Sequence, residues 1–248
     1  MSFFKALRYF VANPRYTVLY RWGNPAGILQ AITGQPPTRY EALRDELLKD
    51  PRFGRLLNEK LQRTAGESFV WNQDHYFLYA LARLTKPRLI LETGVFDGFF
   101  SACFLQGLHV NAETEGVDGR LVSIDLPAYK SITASTSRML RTNLPVGCEP
   151  GWVIPEYLRT RWHVHLGDSH ELLPRISSDV GTIDLFFHDS LHTYDHMMFE
   201  YQTIWPRLKP GKLLLSHDVH WNRAFRDFFR EHRQRGHIAH GFGVIKKA

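Results

Sequence analysis

The sequence predicts an α/β fold: a parallel sheet with helices on both faces, preceded by a helical extension. Three observations predict it. From residue 88 onward, short apolar runs alternate with helical stretches, the pattern of strands joined by crossover helices. Each run ends in acidic, glycine or histidine residues, as expected where ligands meet the carboxyl ends of parallel strands. Before residue 85 the apolar spacing is helical throughout.

The elements follow in order. Residues 1–40 hold Lys5, Arg8, Arg15, Arg21 and Arg39 and no acidic side chain. Phe3, Phe4, Tyr9, Phe10, Tyr16, Tyr20 and Trp22 are interleaved among them. Ala6-Leu7 and Phe10-Val11 share one face of a predicted helix that packs on its own domain or on a dimer mate, with a membrane surface as the alternative. Gly23 to Pro37, rich in Gly, Asn and Pro, reads as a loop. Arg39 to Gln62 reads as amphipathic helix broken near Pro51, with Leu43, Leu47, Leu48, Phe53, Leu56, Leu57 and Leu61 as its apolar set. Phe69 to Leu84 is a further helix rich in aromatics. The strands are Arg88–Glu92, Leu121–Ile124, Trp162–Leu166, Ile183–Phe187 and Leu213–Leu215. Helices are expected at Phe99–Leu108 and Met197–Leu208. This divides the chain into an N-terminal helical extension or cap, 1–68, and an α/β domain, 69–248.

Composition excludes several classes. Of 248 residues, 44% are hydrophobic and 23% charged, values that rule out disorder and coiled coil. No apolar run reaches the roughly 18–20 residues of a membrane span. The net charge of +6 is a weak pointer to anionic ligands and, without a base-methylation or RNA-binding motif, no nucleic-acid partner is expected. Cys103 and Cys148 stand far apart, so neither a disulfide framework nor a thiolate zinc site follows. No apolar segment precedes a small-residue cleavage site, and the expected location is the cytoplasm.

The chemistry stands just after each strand. The first ends in Glu92-Thr93-Gly94-Val95-Phe96-Asp97-Gly98-Phe99-Phe100-Ser101, a turn in which backbone approaches a ligand closely. The second ends in Asp125, placed to take both hydroxyls of a ribose or to cap a helix. The third ends in Asp168-Ser169, placed beside an adenine amino group or, again, as a helix cap. The fourth and fifth end in His188-Asp189-Ser190-Leu191-His192 and Ser216-His217-Asp218-Val219-His220, two His/Asp clusters that converge on one cleft. Asp189, His217 and Asp218 could ligate a divalent cation, and His192 could serve as general base. His163, His165 and His170 are expected to have no chemical role.

This set of strand ends resembles the class I S-adenosylmethionine-dependent methyltransferases, and most closely the branch of sugar and macrolide O-methyltransferases and cephalosporin hydroxylase-like proteins. The resemblance spans roughly residues 65–230. Glu92 to Gly98 matches the acidic-x-Gly-x-x-x-Gly cofactor turn, departing at Phe96, where many members carry glycine. Asp125 matches the ribose-binding acid, Asp168-Ser169 the adenine segment, and Ile183 to Tyr194 with Trp205 to Gly211 the signature after the fourth strand. The resemblance implies a doubly wound, Rossmann-like, mostly parallel seven-stranded sheet ending in an antiparallel hairpin, for which Ile238 to Lys247 is short, so an abbreviated C-terminal end is expected. It implies S-adenosyl-L-methionine as cofactor, held by Glu92, Gly94, Gly98, Ser101, Asp125, Asp168 and Ser169. It implies His192 and Asp189 as catalytic residues. It also implies a metal set of Asp189, His217 and Asp218 for Mg2+ or another divalent cation; His217, where relatives often carry an acid, suits a softer ion.

The function expected is O-methylation of a small-molecule hydroxyl, on a sugar, polyketide or other secondary metabolite. Residues 127–161, with Tyr129, Trp152 and Tyr157, are expected to cover the substrate or the sheet. A homodimer through the aromatic N-terminal region is compatible with the sequence. Two other classes stay open: a metal-dependent hydrolase or hydroxylase using the His/Asp cluster, and a non-catalytic binding protein on the same fold, for which Phe96 is the supporting feature.

Overall fold

The computed structural model describes residues 25–65, 71–127, 144–145 and 147–248. The predicted helix over Ala6-Leu7 and Phe10-Val11, the basic and aromatic residues around it, and Tyr129 lie outside the described residues.

Pro25–Thr33 is a helix, α1, where the sequence predicts a loop. Pro25 opens it, and proline costs nothing in a first turn whose N–H groups lack partners anyway. Ile28, Leu29 and Ile32 fall on one face and are buried. Burying that face outweighs Gly27 and the short length. Helices α2 (Pro37–Leu48) and α3 (Pro51–Ala65) break at Pro51 as predicted. Asp50 Oδ1 accepts from the N–H groups of Arg52 and Phe53 and so caps α3. Helix α4 (Gln73–Thr85) starts later than predicted. Its cap is Asn72, whose side chain accepts from the N–H groups of Asp74 and His75, while His75 Nδ1 accepts from the Asn72 N–H.

The α/β unit then runs β1 (Leu89–Thr93), α5 (Phe99–Glu115), β2 (Arg120–Asp125), β3 (Trp162–Leu166), α6 (Ser169–Asp179), β4 (Ile183–His188), α7 (Tyr194–Ile204), β5 (Leu208–Ser216), α8 (Ala224–Glu231), β6 (Gly236–Ala239) and β7 (Phe242–Lys246). The seven strands stand in the order β3-β2-β1-β4-β5-β7-β6. β1 to β5 are parallel, and β7 is antiparallel to both β5 and β6. Side chains alternate between two cores, as the period of a strand requires. Ile90, Leu121, Leu185, Phe187, Leu213, Leu215 and Val244 join α1 to α5 in one cluster. Leu91, Val122, Phe186, Leu214 and Ile245 join α6, α7 and α8 in the other. The N-terminal helices thus share a continuous core with the sheet. Among the described residues, no helix is long and apolar enough to cross a membrane.

Two expectations are corrected. The C-terminal hairpin is complete, because its turn needs only His240 and Gly241, at φ 52° and 84°; two successive positive φ angles match the twist of a two-residue hairpin turn. The segment after Leu208 is strand where helix was expected to reach that residue, α7 stopping at Ile204 before Pro206. Of the roles open to residues 127–161, Trp152 and Tyr157 fit that of covering the core: both pack against it, and Tyr157 Oη donates to Gln106 Oε1 of α5 (2.8 Å).

Phe187 sits at the centre of the first core, its ring 5.3 Å from Phe104 and 6.3 Å from Phe100. Phe187→Ala is expected to lower unfolding free energy by about 3–5 kcal/mol, measured by urea denaturation; a loss below about 1 kcal/mol would contradict this packing.

Candidate active site

Strand register builds the site. Thr93 pairs with Ile124 and His188, and His188 pairs with Ser216. The next residues therefore emerge in one row. Gly94 donates its N–H to Ile124 O (2.9 Å), Asp189 to Thr93 O (2.8 Å) and His217 to His188 O (2.9 Å). Gly94, Asp125, Asp189 and His217 thus stand side by side at the carboxyl edge of the sheet.

The turn after β1 is held at Gly94 (φ 84°), Phe96 (φ 50°) and Gly98 (φ 94°). A Cβ on Gly94 would overlap the Asp189 carbonyl, so glycine is needed for the two loops to touch. Phe96 adopts the left-handed conformation without being glycine, at a cost of roughly 1–2 kcal/mol. Its carbonyl accepts from Gly151 N–H (2.8 Å) and its N–H donates to Asp125 Oδ2 (2.7 Å), which hold it there. Phe96 thus takes, without being glycine, the backbone conformation that glycine adopts most readily. Val153 N–H also donates to Asp97 O (3.1 Å), so residues 151–153 buttress the turn, a role no local sequence signal revealed.

Asp125 Oδ2 accepts from Val95 N–H (2.9 Å) as well, and Oδ1 from Leu126 N–H (2.7 Å). Burial raises its pKa, these N–H groups oppose the rise, and the charge of Asp189 adds to it. Asp97, which sequence reasoning passed over although it lies inside the glycine motif, is pushed up to about 6 by burial; the Phe99 N–H opposes this and Asp189 adds to it. The charge of Asp189 thus reaches both Asp97 and Asp125.

Glu92 and Ser101 face inward. Burial pushes Glu92 up to about 8 against hydrogen bonds donated by Ser123 Oγ and Ser101 Oγ, both 2.7 Å to Oε2. Its Oε1 is buried with no hydrogen-bond partner among the described residues. Asp168 caps α6, accepting from His170 N–H (2.8 Å), and Ser169 Oγ lies 3.3 Å from His196 Nε2.

On the opposite face of the sheet, Glu200 of α7 is fully buried. Thr93 Oγ1 (2.5 Å) and His188 Nδ1 (2.7 Å) reach Oε2, and Ser190 Oγ (2.9 Å) and His196 Nε2 (2.9 Å) reach Oε1. Burial would raise its pKa; His188 and His196 outweigh this and hold it well below the usual range. His170 Nε2 contacts His196 Nδ1 (3.1 Å) and extends the network toward the surface. The sequence marked neither Glu200 nor His188 for this role, since the partners are scattered over β1, β4 and α7.

Asp189, His192 and His217 come together, with one potential ligand atom from each lying within 4.8 Å of the others. Asp189 Oδ1 is 2.9 Å from His217 Nδ1 and 3.6 Å from His192 Nε2. Burial would lower the pKa of His217, but Asp189 and Asp218 overcome it and push it up to about 9. Burial, with His188, pushes His192 down to about 3, so its imidazole is neutral. Its Nε2 is buried with no hydrogen-bond partner among the described residues. Asp218 stands outside this group: its backbone is left-handed (φ 51°) and Oδ1 lies 3.8 Å from His220 Nδ1. His163 and His165 pack ring to ring on the edge strand β3, away from the row.

A family model described as a methyltransferase domain matches residues 91–219, just over half of the chain. No curated protein matches in sequence. Among solved structures, the calicheamicin methyltransferase CalS11 is similar at 19% identity over 84% of this chain and 91% of that one, with a TM-score of 0.56. An apo structure of CalS11, described as a TDP-rhamnose 3'-O-methyltransferase, gives 19% identity, 79% and 91% coverage and a TM-score of 0.51. The O-methyltransferase from Bacillus cereus in complex with SAH gives 17% identity, 78% and 91% coverage and 0.51. At these identities the likeness establishes the class I methyltransferase fold.

Two outcomes follow from the charges. Glu200→Ala strands four donors and is expected to cost about 3–5 kcal/mol, read from urea midpoints; an unchanged midpoint would refute the network. His217 has a folded pKa above its unfolded one. Its contribution to stability is therefore complete below pH 6.5 and lost as pH rises through about 9. Melting temperature in chelator should fall across that window, and His217→Asn should flatten the fall.

Proposed function

The chain belongs to the methyltransferase-domain family, and on that premise we propose that it transfers the methyl group of S-adenosylmethionine to a hydroxyl of a small-molecule acceptor. The observation that carries the reading is the single row of strand-end residues: a glycine turn and Asp125 on one side, and Asp189 with His192 and His217 on the other, the Gly94 and Asp189 backbones in contact.

The chain's own groups fit this cofactor. The cleft carries three carboxyl groups and suits a ligand bearing a sulfonium and an ammonium. Asp125 is the proposed ribose acid: its carboxylate is anchored by backbone N–H groups and keeps further lone pairs for hydroxyls. Gly94 and Gly98 shape the turn, and Glu92 and Ser101 support it from behind. Asp168 and Ser169 are proposed to border the adenine. When bound, the cofactor supplies an electrophilic methyl group. The protein supplies orientation, with the cofactor turn and the acceptor group fixed on adjacent strands.

On the acceptor side, His192 and Asp189 are the proposed catalytic residues. The acceptor hydroxyl is placed in this reading at Nε2 of the neutral His192, which has no hydrogen-bond partner among the described residues and carries a lone pair in the tautomer protonated at Nδ1. Such a lone pair can take the hydroxyl proton, or hold a cation that acidifies the hydroxyl. The Trp221 ring lies 6.1 Å from that of His192 and offers an apolar wall for a ring-shaped acceptor, such as a sugar or polyketide. Phe96 holds the left-handed backbone that glycine would adopt there, which supports the catalytic reading over a non-catalytic one. Magnesium does not fit the strand-end group: it takes oxygen ligands, and the three side chains brought together offer one carboxylate and two imidazoles.

Calorimetry with S-adenosylhomocysteine tests the cofactor site. Wild type should bind, and Asp125→Ala should weaken binding by roughly 10–100-fold, the worth of one or two charge-assisted hydrogen bonds. Absence of binding by wild type would overturn the proposal. Among acceptors screened for methyl transfer, His192→Ala should abolish turnover while leaving S-adenosylhomocysteine affinity within about twofold.

A further inference from the structure

We propose that Asp189, His192 and His217 form a binding site for one divalent transition-metal ion, with Asp218 outside the ligand set. The inference rests on the reading above, since it places the ion where the acceptor hydroxyl would lie. It departs from the metal set implied by resemblance, which pairs Asp189 with the two tandem residues His217 and Asp218.

Geometry favours the first set. Bonds of about 2.0–2.2 Å to nitrogen or oxygen put neighbouring ligand atoms roughly 3–3.5 Å apart around one ion. Asp189 Oδ1 stands 2.9 Å from His217 Nδ1 and 3.6 Å from His192 Nε2, and the three ligand atoms lie within 4.8 Å of one another. The group needs little movement to close on an ion. Asp218 begins a turn in the left-handed conformation, and its Oδ1 lies toward His220.

An independent observation comes from His192. Its Nε2 is buried and accepts no hydrogen bond from any described residue. A buried imidazole nitrogen without a partner costs about 1–3 kcal/mol. The adjacent His188 ring, at 5.2 Å between centroids, meets it at 71° and supplies no hydrogen bond. Asn222 Nδ2 donates to His192 O (3.2 Å), steadying the loop that presents the ring. A metal ion is a partner of the right chemistry for a neutral imidazole next to a carboxylate.

The donor set decides the class of ion. Two imidazoles and one carboxylate are borderline donors that favour Co2+, Ni2+, Fe2+ or Zn2+ over Mg2+ and Ca2+. Three protein ligands leave coordination positions open toward the cleft. Binding displaces the proton shared between His217 Nδ1 and Asp189 Oδ1, and that proton goes to the buffer, so each ion bound releases protons. With an ion bound, His192, Asp189 and His217 would hold it, and the ion would supply the acidification of a nearby hydroxyl.

The test is titration of the full chain, freed of purification tags and chelator-stripped, with Co2+, read by visible absorption and calorimetry. The expected result is one ion per chain, with Mg2+ unable to compete at equal concentration. His192→Ala and His217→Ala should each weaken Co2+ binding by about tenfold or more, the scale of lost ligation. Asp218→Asn should leave it unchanged. Retained S-adenosylhomocysteine binding confirms that each variant is folded. Wild type that binds S-adenosylhomocysteine but no Co2+ overturns the metal site and leaves the methyltransferase reading intact. Loss of Co2+ affinity in Asp218→Asn but not in His192→Ala overturns the ligand assignment. Failure to bind S-adenosylhomocysteine, with stoichiometric Co2+ binding, overturns the methyltransferase reading instead.

Discussion

The buried carboxylate of Glu200 is the constraint on which the rest of the site depends. It takes hydrogen bonds from Thr93 at the end of β1, His188 at the end of β4, Ser190 in the following loop and His196 one turn earlier on α7. Thr93 precedes Gly94 and His188 precedes Asp189. One side chain therefore sets the spacing between the glycine turn and the acid of the opposite cluster. Every lone-pair direction of the carboxylate meets a donor, which is what makes a charge tolerable at that depth.

A second buried acid, Glu92, behaves in the opposite way. It projects from the other face of β1 toward α5, with two hydroxyl donors and no cation beside it. Its pKa rises to about 8 while that of Glu200 falls. The contrast is a matter of partners: imidazoles can share a positive charge with Glu200, and serines cannot do so for Glu92. The sheet thus carries a neutral acid behind the glycine turn and an ionised one behind the His/Asp cluster.

Left-handed backbone also occurs at the same edge. Phe96 and Asp218 both hold left-handed backbone, one in the turn after β1 and one after β5. Phe96 is held by Asp125 and by residues 151–153, so the segment between β2 and β3 contributes to the turn without contributing to the row of strand ends. Fixing these loops before any ligand arrives lowers the ordering cost of binding.

The alternation of apolar runs and helical stretches determined the sheet, and the residues at strand ends determined where the site lies. Both are local properties: apolar periodicity shows which faces are buried, and in a parallel sheet chain direction alone puts the strand ends on one edge. Asp125, Asp189, His192 and His217 were legible for that reason. Helix α1 was not, because its short apolar face becomes worth burying only against the rest of the core. The hairpin was underestimated, because a two-residue turn at His240 and Gly241 depends on backbone angles that composition does not announce. Glu200, its pairing with His188 and the role of residues 151–153 were invisible for a different reason: their partners lie on other elements, and only packing brings them together. The same holds for Asp218 and His192. Spacing put both near a candidate cation site, but tertiary structure decided which side chain meets Asp189, because that depends on how each loop turns after leaving its strand.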